Sequence, residues 1–530
     1  MMVVTSEKMR EMDNRAIKEF GIPGVVLMEN AGRGAMEKIL AYYPDVVGDD
    51  VLVVCGPGNN GGDGFVVARH LANFNCNVRC CLLSAPSKLS SDAQINFKIA
   101  KSMGIEVFEF TDEGKLPHFL DMLYGAHLVV DALFGTGLKK EVAGLHKKVI
   151  EAINNSGSHV VSLDVPSGLN ADTGRPLGVA IEADLTITFA LPKVGLLIFP
   201  GVDYAGELEL VDIGMPQKIY DEANIDTFLI ERWQIIDLFP PRYENTHKGD
   251  YGHLFVLAGS TGFTGAATMT CESAARAGTG LVTLGIPKSL NPILENKLLE
   301  VMTLPLPETE NGALNKDAFE IIKRACERKT AIAIGPGLGL EPSTQMLVRD
   351  VVSKMQLPMI IDADGLNAIS AQPEVLRKRR APTILSPHPG EMARLIGFDT
   401  QKVKDDRITV ARGFAKKYGC YVVLKGARSI VATPEGKMYI NPTGNPGMAT
   451  GGTGDLLTGM IGGFLAEGMK PLEASLAGVY IHGACGDEAA LKFGERGLLA
   501  RDILNEIPNL LRELEAEACG IEPDEGDEEL

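Results

Sequence analysis

The chain is poor in the features that would place it in several large classes. None of its nine cysteines forms a Cys-x-x-Cys pair or a Cys/His ligand spacing, although Cys80 and Cys81 are adjacent. That argues against a disulfide framework or a zinc site and for buried thiols in a reducing compartment. No apolar run approaches the ~18 residues a membrane-crossing helix needs, and Met1-Met2-Val3-Val4 turns polar at once. A soluble, cytoplasmic protein with no membrane partner is expected. A basic stripe is missing too: the net charge is −18, so nucleic acid is not an expected partner, because a phosphate backbone demands clustered Lys and Arg. Half of that charge lies in Glu513 to Leu530, which holds nine acids and no base. Residues 516–530 read as a solvated acidic tail, and there is no short-period repeat.

What is present is a long, apolar chain. At 530 residues and 45% hydrophobic content, it exceeds what one core supports, so at least two domains are expected. In the first half, apolar runs at Val51–Cys55, Val78–Leu83, Leu128–Asp131, Val160–Asp164, Leu185–Phe189 and Leu208–Val211 alternate with helical patterns. The second half repeats the style at Leu254–Ala258, Leu281–Leu284, Ala331–Ile334, Met359–Asp362 and Thr383–Leu385. Continuous apolar strands separated by helices belong to parallel sheets covered on both faces, so the fold class is α/β with two three-layer αβα domains. The alternation lapses between Pro216 and the turn-rich Pro240–Gly249. The domains are accordingly placed at 1–220 and 221–515, with the tail at 516–530.

In open α/β sheets, ligands sit beyond the carboxyl ends of strands. Three such loops stand out in the first half: Gly56-Pro57-Gly58-Asn59-Asn60-Gly61-Gly62-Asp63-Gly64, Phe134-Gly135-Thr136-Gly137 and Asp164-Val165-Pro166-Ser167-Gly168. The first does not have dinucleotide-fingerprint spacing, and alone it reads equally as a tight strand-to-helix turn. Two strand-end carboxylates, Asp131 and Asp164, raise its functional weight, although such residues also cap turns. Converging loops would let Asn60, Asp131 and Ser167 offer only oxygen, which suits a hard cation rather than zinc or copper.

The second half carries Thr450-Gly451-Gly452-Thr453-Gly454-Asp455 leading into an apolar helix. Glycine amides and a helix N-terminus bind phosphate, and Asp455 stands where a hydroxyl proton could be taken, a pattern suited to phosphoryl transfer. The plainer reading makes Asp455 an ordinary helix N-terminal acid. Upstream, Lys425-Gly426-Ala427-Arg428-Ser429 ends an apolar run, and Ile430–Ala432 with Met438–Ile440 reads as a hairpin that would help wrap a nucleotide.

Taken together, Leu27–Gly32, the GPGNNGGDG segment, Asp164–Gly168 and Ala183–Leu196 resemble the YjeF N-terminal family of NAD(P)H-hydrate epimerases, whose domain is Rossmann-like. His247-Lys248-Gly249, Gly335–Gly339, His388–Glu391, Lys425–Ser429 and Gly452–Asp455 resemble the ribokinase-like NAD(P)H-hydrate dehydratases. The resemblance spans roughly residues 5 to 510. It implies a bifunctional repair enzyme whose partners are hydrated NADH and NADPH and whose co-substrate is ADP, with ATP as the alternative. The first domain would interconvert the R and S hydrates, and the second would dehydrate the S form, releasing AMP and phosphate.

The same resemblance implies residue roles. In the epimerase, Asn59, Asn60, Gly61, Gly62, Asp63, Gly135, Thr136, Gly137, Leu138 and Glu141 would hold the hydrate. Asp164 would be acid or base, and Asn60, Asp131 and Ser167 would bind K+. In the dehydratase, Gly337, Leu338, Gly339, His388, Pro389, Gly390, Glu391 and Arg394 would line the hydrate pocket, with Asp455 as base. Lys425, Gly426, Ala427, Arg428, Ser429, Asn445, Gly451, Gly452, Thr453 and Gly454 would hold the nucleotide, which brings Mg2+. His388 also reads as a simple turn residue, and Lys193 either as a phosphate contact or as a surface lysine. A homo-oligomer is expected. The rival readings are a ribokinase-like small-molecule kinase fused to a non-catalytic binding module, or a first half that serves only as a scaffold.

Overall fold

The computed structural model describes residues 1–521, which divide into two compact units, one spanning Met2–Ile225 and the other continuing from Asp226. In the first unit the apolar runs form β1 (Asp50–Cys55), β2 (Asn77–Leu82), β3 (Glu106–Glu109), β4 (Leu128–Ala132), β5 (His159–Leu163), β6 (Leu185–Phe189) and β7 (Glu207–Val211). Every neighbouring pair is parallel, in the order β3-β2-β1-β4-β5-β6-β7. Alternate residues of β1 enter opposite cores: Val51 and Val53 pack with Phe65 on one face, Leu52 and Val54 with Phe119 on the other. That double burial is why the strand reads as an unbroken apolar run. The order reverses between β1 and β4, which opens a crevice beyond their carboxyl ends.

The second unit contains β8 (Thr227–Leu229), β9 (His253–Leu257), β10 (Leu281–Pro287), β11 (Met302–Leu306), β12 (Ala331–Ile334), β13 (Met359–Ile361), β14 (Thr383–Leu385), β15 (Tyr421–Leu424), β16 (Ile430–Ala432) and β17 (Met438–Ile440). Their order is β8-β17-β16-β15-β14-β13-β12-β9-β10-β11. Neighbours from β15 through β11 are parallel, whereas β15, β16 and β17 pair antiparallel. Helices Thr264–Arg276, Thr453–Glu467 and Pro471–Phe493 cover one face, and Pro342–Lys354 and Arg407–Tyr418 cover the other.

Of the strands named above, three lacked a sequence signal. β3 is partly exposed, β11 carries Pro305 and two exposed residues, and β8 has three residues. Outer or very short strands lose the continuous apolar pattern on which such a reading rests. Two placements need correction. The Asn59–Gly64 segment is no loop but the start of the helix Asn59–Asn73. The tail placed at 516–530 begins inside the helix Ala500–Ala518, and its residues 522–530 lie outside the described residues.

Candidate active sites

In the first unit the turn after β1 is built for close approach. A Cβ at Gly56 would lie 1.9 Å from the Leu133 carbonyl oxygen, and one at Gly61 would lie 2.0 Å from that of Gly56. Glycine therefore lets the segment after β4 pack directly against the helix that follows β1. Between them is a cavity of about 530 Å³ lined by Asn59, Asn60, Asp63, Gly135, Thr136, Gly137, Leu138, Asp164 and Lys193, with Arg10, Asp13 and Met28 across from them in sequence. Gly61 and Gly62 are buried in the helix, and Glu141 is exposed outside the lining.

Asp164 follows β5 in the left-handed backbone region, with φ +67°, a conformation that non-glycine residues adopt rarely and chiefly where surrounding structure enforces it. Its Oδ1 lies 2.5 Å from Lys193 Nζ, and its Oδ2 accepts from the Thr136 N–H at 3.4 Å. Lys193 is 1% exposed, so it is no surface lysine. Its ammonium also donates to Thr188 Oγ1 and to the Phe189 carbonyl, each at 3.0 Å. All three N–H donors are consumed, leaving Lys193 to hold Asp164 rather than a phosphate. Burial, then Asp164 and Asp13, pushes the Asp63 carboxyl well above the usual carboxylate range, against the opposing pull of Lys193.

The loops carrying Asp131 and Ser167 do converge, and the two side chains are hydrogen-bonded. Asp131 Oδ1 accepts from Ser167 Oγ at 2.6 Å and from the Leu133 N–H at 3.2 Å, while Oδ2 accepts from Ser162 Oγ and the Ser167 N–H, both at 2.8 Å. Burial still raises the Asp131 carboxyl against those hydrogen bonds. Asn60 is different: its Oδ1 and Nδ2 are both buried with no partner. A buried amide oxygen without a partner is a donor that a hard, oxygen-preferring cation could use. Among the described residues no three His, Cys, Asp or Glu side chains are grouped to hold a metal.

In the second unit Gly452 caps the helix Thr453–Glu467 at φ +98°, so the chain turns sharply into the helix, whose first amides have no side-chain cap. Asp455 is the third helical residue. Its carboxyl is pushed up to about 7 by burial, then Asp362, with Lys425 opposing and Asp364 and Glu391 adding to the rise. Lys425 follows β15 and donates from Nζ to Asp362 Oδ1 at 2.6 Å, with Glu391 Oε2 at 4.0 Å. Burial works against its charge, but Asp362, Glu391 and Asp455 overrule that and raise its pKa. A Cβ at Gly454 would lie 3.4 Å from Lys425 Nζ, so the lysine sits against the first helical turn.

The remaining predicted residues divide between polar contacts and scaffold. His388 caps the helix Pro389–Ile396, accepting from the Gly390 N–H at 3.0 Å through Nδ1, while Glu391 Oε2 accepts from the His388 N–H at 2.8 Å. Burial, then Lys425 and Arg394, lowers the His388 pKa. His388 is thus both the turn residue and a neighbour of the Lys425 cluster. Arg394 Nε donates to Asn367 Oδ1 at 2.9 Å. Gly337 and Gly339 take positive φ, with Leu338 buried beneath them, and the Gly339 N–H donates to Asp364 Oδ2 at 2.8 Å. Asn445 Nδ2 donates to Asp487 Oδ1 at 2.9 Å, Thr453 Oγ1 to the Met448 and Thr450 carbonyls, and Ser429 Oγ to the Gly426 carbonyl. Gly426 and Arg428 hold positive φ, whereas Gly451 is exposed.

Sequence reasoning passed over four residues here. Asp362 follows β13 as Asp164 follows β5, so the same strand-end rule would have found it. Arg407 Nη1 and Nη2 donate to the Ala427 and Leu424 carbonyls at 2.6 and 3.1 Å, clamping the 424–429 turn from a distant helix that leaves no local signal. His482 lies in an apolar helix, with Nε2 buried and unpartnered and its pKa lowered by burial to about 4. Asp13 lies on the helix Ser6–Lys18, ahead of every glycine motif.

Residues 24–195 match the family described as YjeF-related protein N-terminus, and residues 254–509 match the family described as NAD(P)H-hydrate dehydratase. The bifunctional NAD(P)H-hydrate repair enzyme Nnr of Moorella thermoacetica is 44% identical over 98% of this chain and 98% of its own. The enzyme of the same name from Thermofilum pendens is 41% identical over 97% of each, and that of Escherichia coli K12 is 34% identical over 96% of this chain and 93% of its own. The crystal structure of an ADP/ATP-dependent NAD(P)H-hydrate dehydratase from Bacillus subtilis with ATP/Mg2+ is 32% identical, covering 54% of this chain and 98% of that one at a TM-score of 0.47.

Proposed function

The chain belongs to the family of bifunctional NAD(P)H-hydrate repair enzymes, an epimerase unit followed by a dehydratase unit, and we propose that Asp164 and Asp455 carry proton transfer in the two. The relatives favour this repair function over a kinase fused to a scaffold. The observation that carries the residue assignment is the setting of Asp455. It stands at the N-terminus of a helix behind a glycine turn, its carboxyl raised to about 7 by burial and the surrounding acids. A general base works best when its pKa lies near the operating pH.

Asp455 removes the proton from the hydrate hydroxyl as that oxygen attacks the terminal phosphoryl group of ADP. The Gly452–Gly454 amides and the helix N-terminus hold the transferring charge, with Lys425–Ser429, Asn445 and Gly451 around the nucleotide. Phosphate leaves more readily than hydroxide, so the ring nitrogen expels it, the double bond returns, and AMP and phosphate remain. Gly337–Gly339, His388–Glu391 and Arg394 hold the hydrate. Mg2+ fits here as an ion carried mainly by the nucleotide, since it is commonly bound by substrate phosphates and one or two carboxylates; when bound it neutralises phosphate charge.

In the first unit the hydrate occupies the cavity beside Asp164. Asn60, Asp131 and Ser167 would hold K+, which supplies positive charge beside buried carboxylates. Cytoplasmic residence fits the nine free cysteines, eight of them buried. A homo-oligomer remains part of the reading. The test gives the purified chain mixed R and S NADH hydrates with ADP, then with ATP, and follows reduced-nicotinamide absorbance. Complete recovery with ADP is expected. No recovery with either nucleotide overturns the assignment, and a stable phosphate ester as product favours the kinase alternative.

A further inference from the structure

The epimerase cavity holds more acid than one proton transfer requires. Asp164 contributes a carboxylate fixed to Lys193, Asp63 contributes a second carboxyl from the floor helix, Asn59–Asn73, and Asp13 contributes a third from the helix Ser6–Lys18. That helix is tied to the lysine's own loop. The Val4 N–H donates to the Pro192 carbonyl at 3.0 Å, the Val194 N–H returns to the Val4 carbonyl at 3.1 Å, and Val4 bridges Lys193 in parallel. Ser6 is pinned at the helix start by Asp172, through its N–H at 2.6 Å and its hydroxyl at 2.8 Å. The chain leading into that helix is thus fixed to the Lys193 loop, and Asp13 lines the same cavity as Asp164 and Lys193. Asp13 also lies outside residues 24–195, the stretch that matches the YjeF-related family.

Building on the reading of the first unit as the epimerase, we propose that Asp13 is a second catalytic residue, the acid that protonates the ring nitrogen while Asp164 takes the hydroxyl proton. The hydrate carbon bears both a hydroxyl and the ring nitrogen, so its configuration inverts without any redox step. Asp164 accepts the hydroxyl proton and the oxygen pair forms the carbonyl. The carbon–nitrogen bond breaks, and the nitrogen takes its proton from Asp13. Rotation presents the other face of the carbonyl, the nitrogen re-adds, and each proton returns by the reverse path.

The charges around Asp13 suit an acid. Arg10 shares its helix and lines the same cavity, Lys193 and Asp164 face it from the strand ends, Asp63 from the floor helix, and Tyr220 from the helix Gln217–Glu222. Burial, opposed by Lys193 and reinforced by Asp164, raises Asp13 to about 6, close enough to neutrality to give and retake a proton. Asp63 lines the same cavity from the helix Asn59–Asn73, and burial raises its carboxyl well above the usual carboxylate range.

The experiment uses the full chain without nucleotide, so that only R-to-S exchange is read, by separating the two NADH hydrates chromatographically. Asp13→Asn should lower kcat by about 10²-fold or more, leave KM within about threefold, and remove the limb of the pH profile near 6. Asp13→Glu should restore part of kcat together with that limb. Asp13→Asn at wild-type kcat across the pH range overturns the proposal, as does a loss confined to KM. If Asp13→Asn does not fold, Asp13→Ser at wild-type kcat with the limb near 6 intact overturns it instead. A wild-type chain that leaves the exchange at its spontaneous rate overturns both this and the epimerase reading, whereas an active wild type silenced by Asp164→Asn but not by Asp13→Asn overturns this alone.

Discussion

Both units set an aspartate near a lysine at the carboxyl end of a parallel sheet, but they connect the two differently. In the first, Lys193 bonds directly to Asp164 and spends its other donors on Thr188 and Phe189. In the second, Lys425 bonds to Asp362 and leaves Asp455 facing a surplus of acid from Asp362, Asp364 and Glu391. The first arrangement holds a carboxylate in a fixed orientation. The second leaves a carboxyl poised to change protonation near neutral pH. A lysine beside an aspartate therefore does not define a role; which carboxylate it bonds does.

The sharpest way to break the comparison is to remove each aspartate in turn. Asp455→Asn should lower dehydration of the S hydrate by about 10²–10⁴-fold while leaving R-to-S exchange intact, and Asp164→Asn should do the reverse. The two assays on each variant would show whether the sites are separable; loss of both activities from one substitution would contradict two independent proton-transfer sites. Next in size is Lys193→Met, which strands Asp164 in the buried pair. Breaking such a pair commonly costs about 3–5 kcal/mol, measurable as a lower denaturation midpoint of the first unit.

The poise of Asp455 carries its own stability signature. A carboxyl whose folded pKa is about 7, above its unfolded value, contributes stability that is full below the unfolded pKa and lost as pH rises through 7. Asp455→Asn should therefore stabilise the second unit by about 2 kcal/mol at pH 8 and by almost nothing near pH 3, with partial exposure holding the gain below the shift's full linkage value. Dehydration by the wild type should rise with pH and level off above about 7. Asp362→Asn, by removing the charge that most raises Asp455, should move that limb about one unit toward acid; an unmoved limb would deny Asp455 the role of base.

Smaller effects should come from the two glycine turns. Gly452→Ala forces a side chain into φ +98° with Met269 atoms 2.5 Å away, so about 1–2 kcal/mol of stability and weaker nucleotide binding are expected. Gly135→Ala meets Asp164 Oδ2 at 3.1 Å and Asn60 at 3.4 Å. A shift of a few tenths of an ångström should raise the hydrate KM several-fold while barely moving the unfolding midpoint.

Much of the molecule was legible before any coordinates. Interior parallel strands announce themselves because burial on both faces demands uninterrupted apolar runs, so β1 or β12 could be read directly, whereas β3, β8 and β11 could not. Asp164 and Asp455 were legible because each stands against a turn motif at a strand end or helix start. Lys193 was visible but misjudged, since nothing in Phe189–Lys193 reveals whether a lysine reaches solvent or an acid. Asp13, Arg407 and His482 carried no signal at all, because each acts across elements distant in the chain.

The order of residues by itself determined the two α/β units, their strand-end loops and the glycine turns, because periodicity and backbone freedom are local properties written in neighbouring residues. Only the tertiary structure decided which charges share a low-dielectric pocket: that Lys193 is consumed by Asp164, that Lys425 turns to Asp362, and that Asp13 faces the same cavity. Coulomb energies depend on distance and burial, and neither quantity exists until the chain has folded.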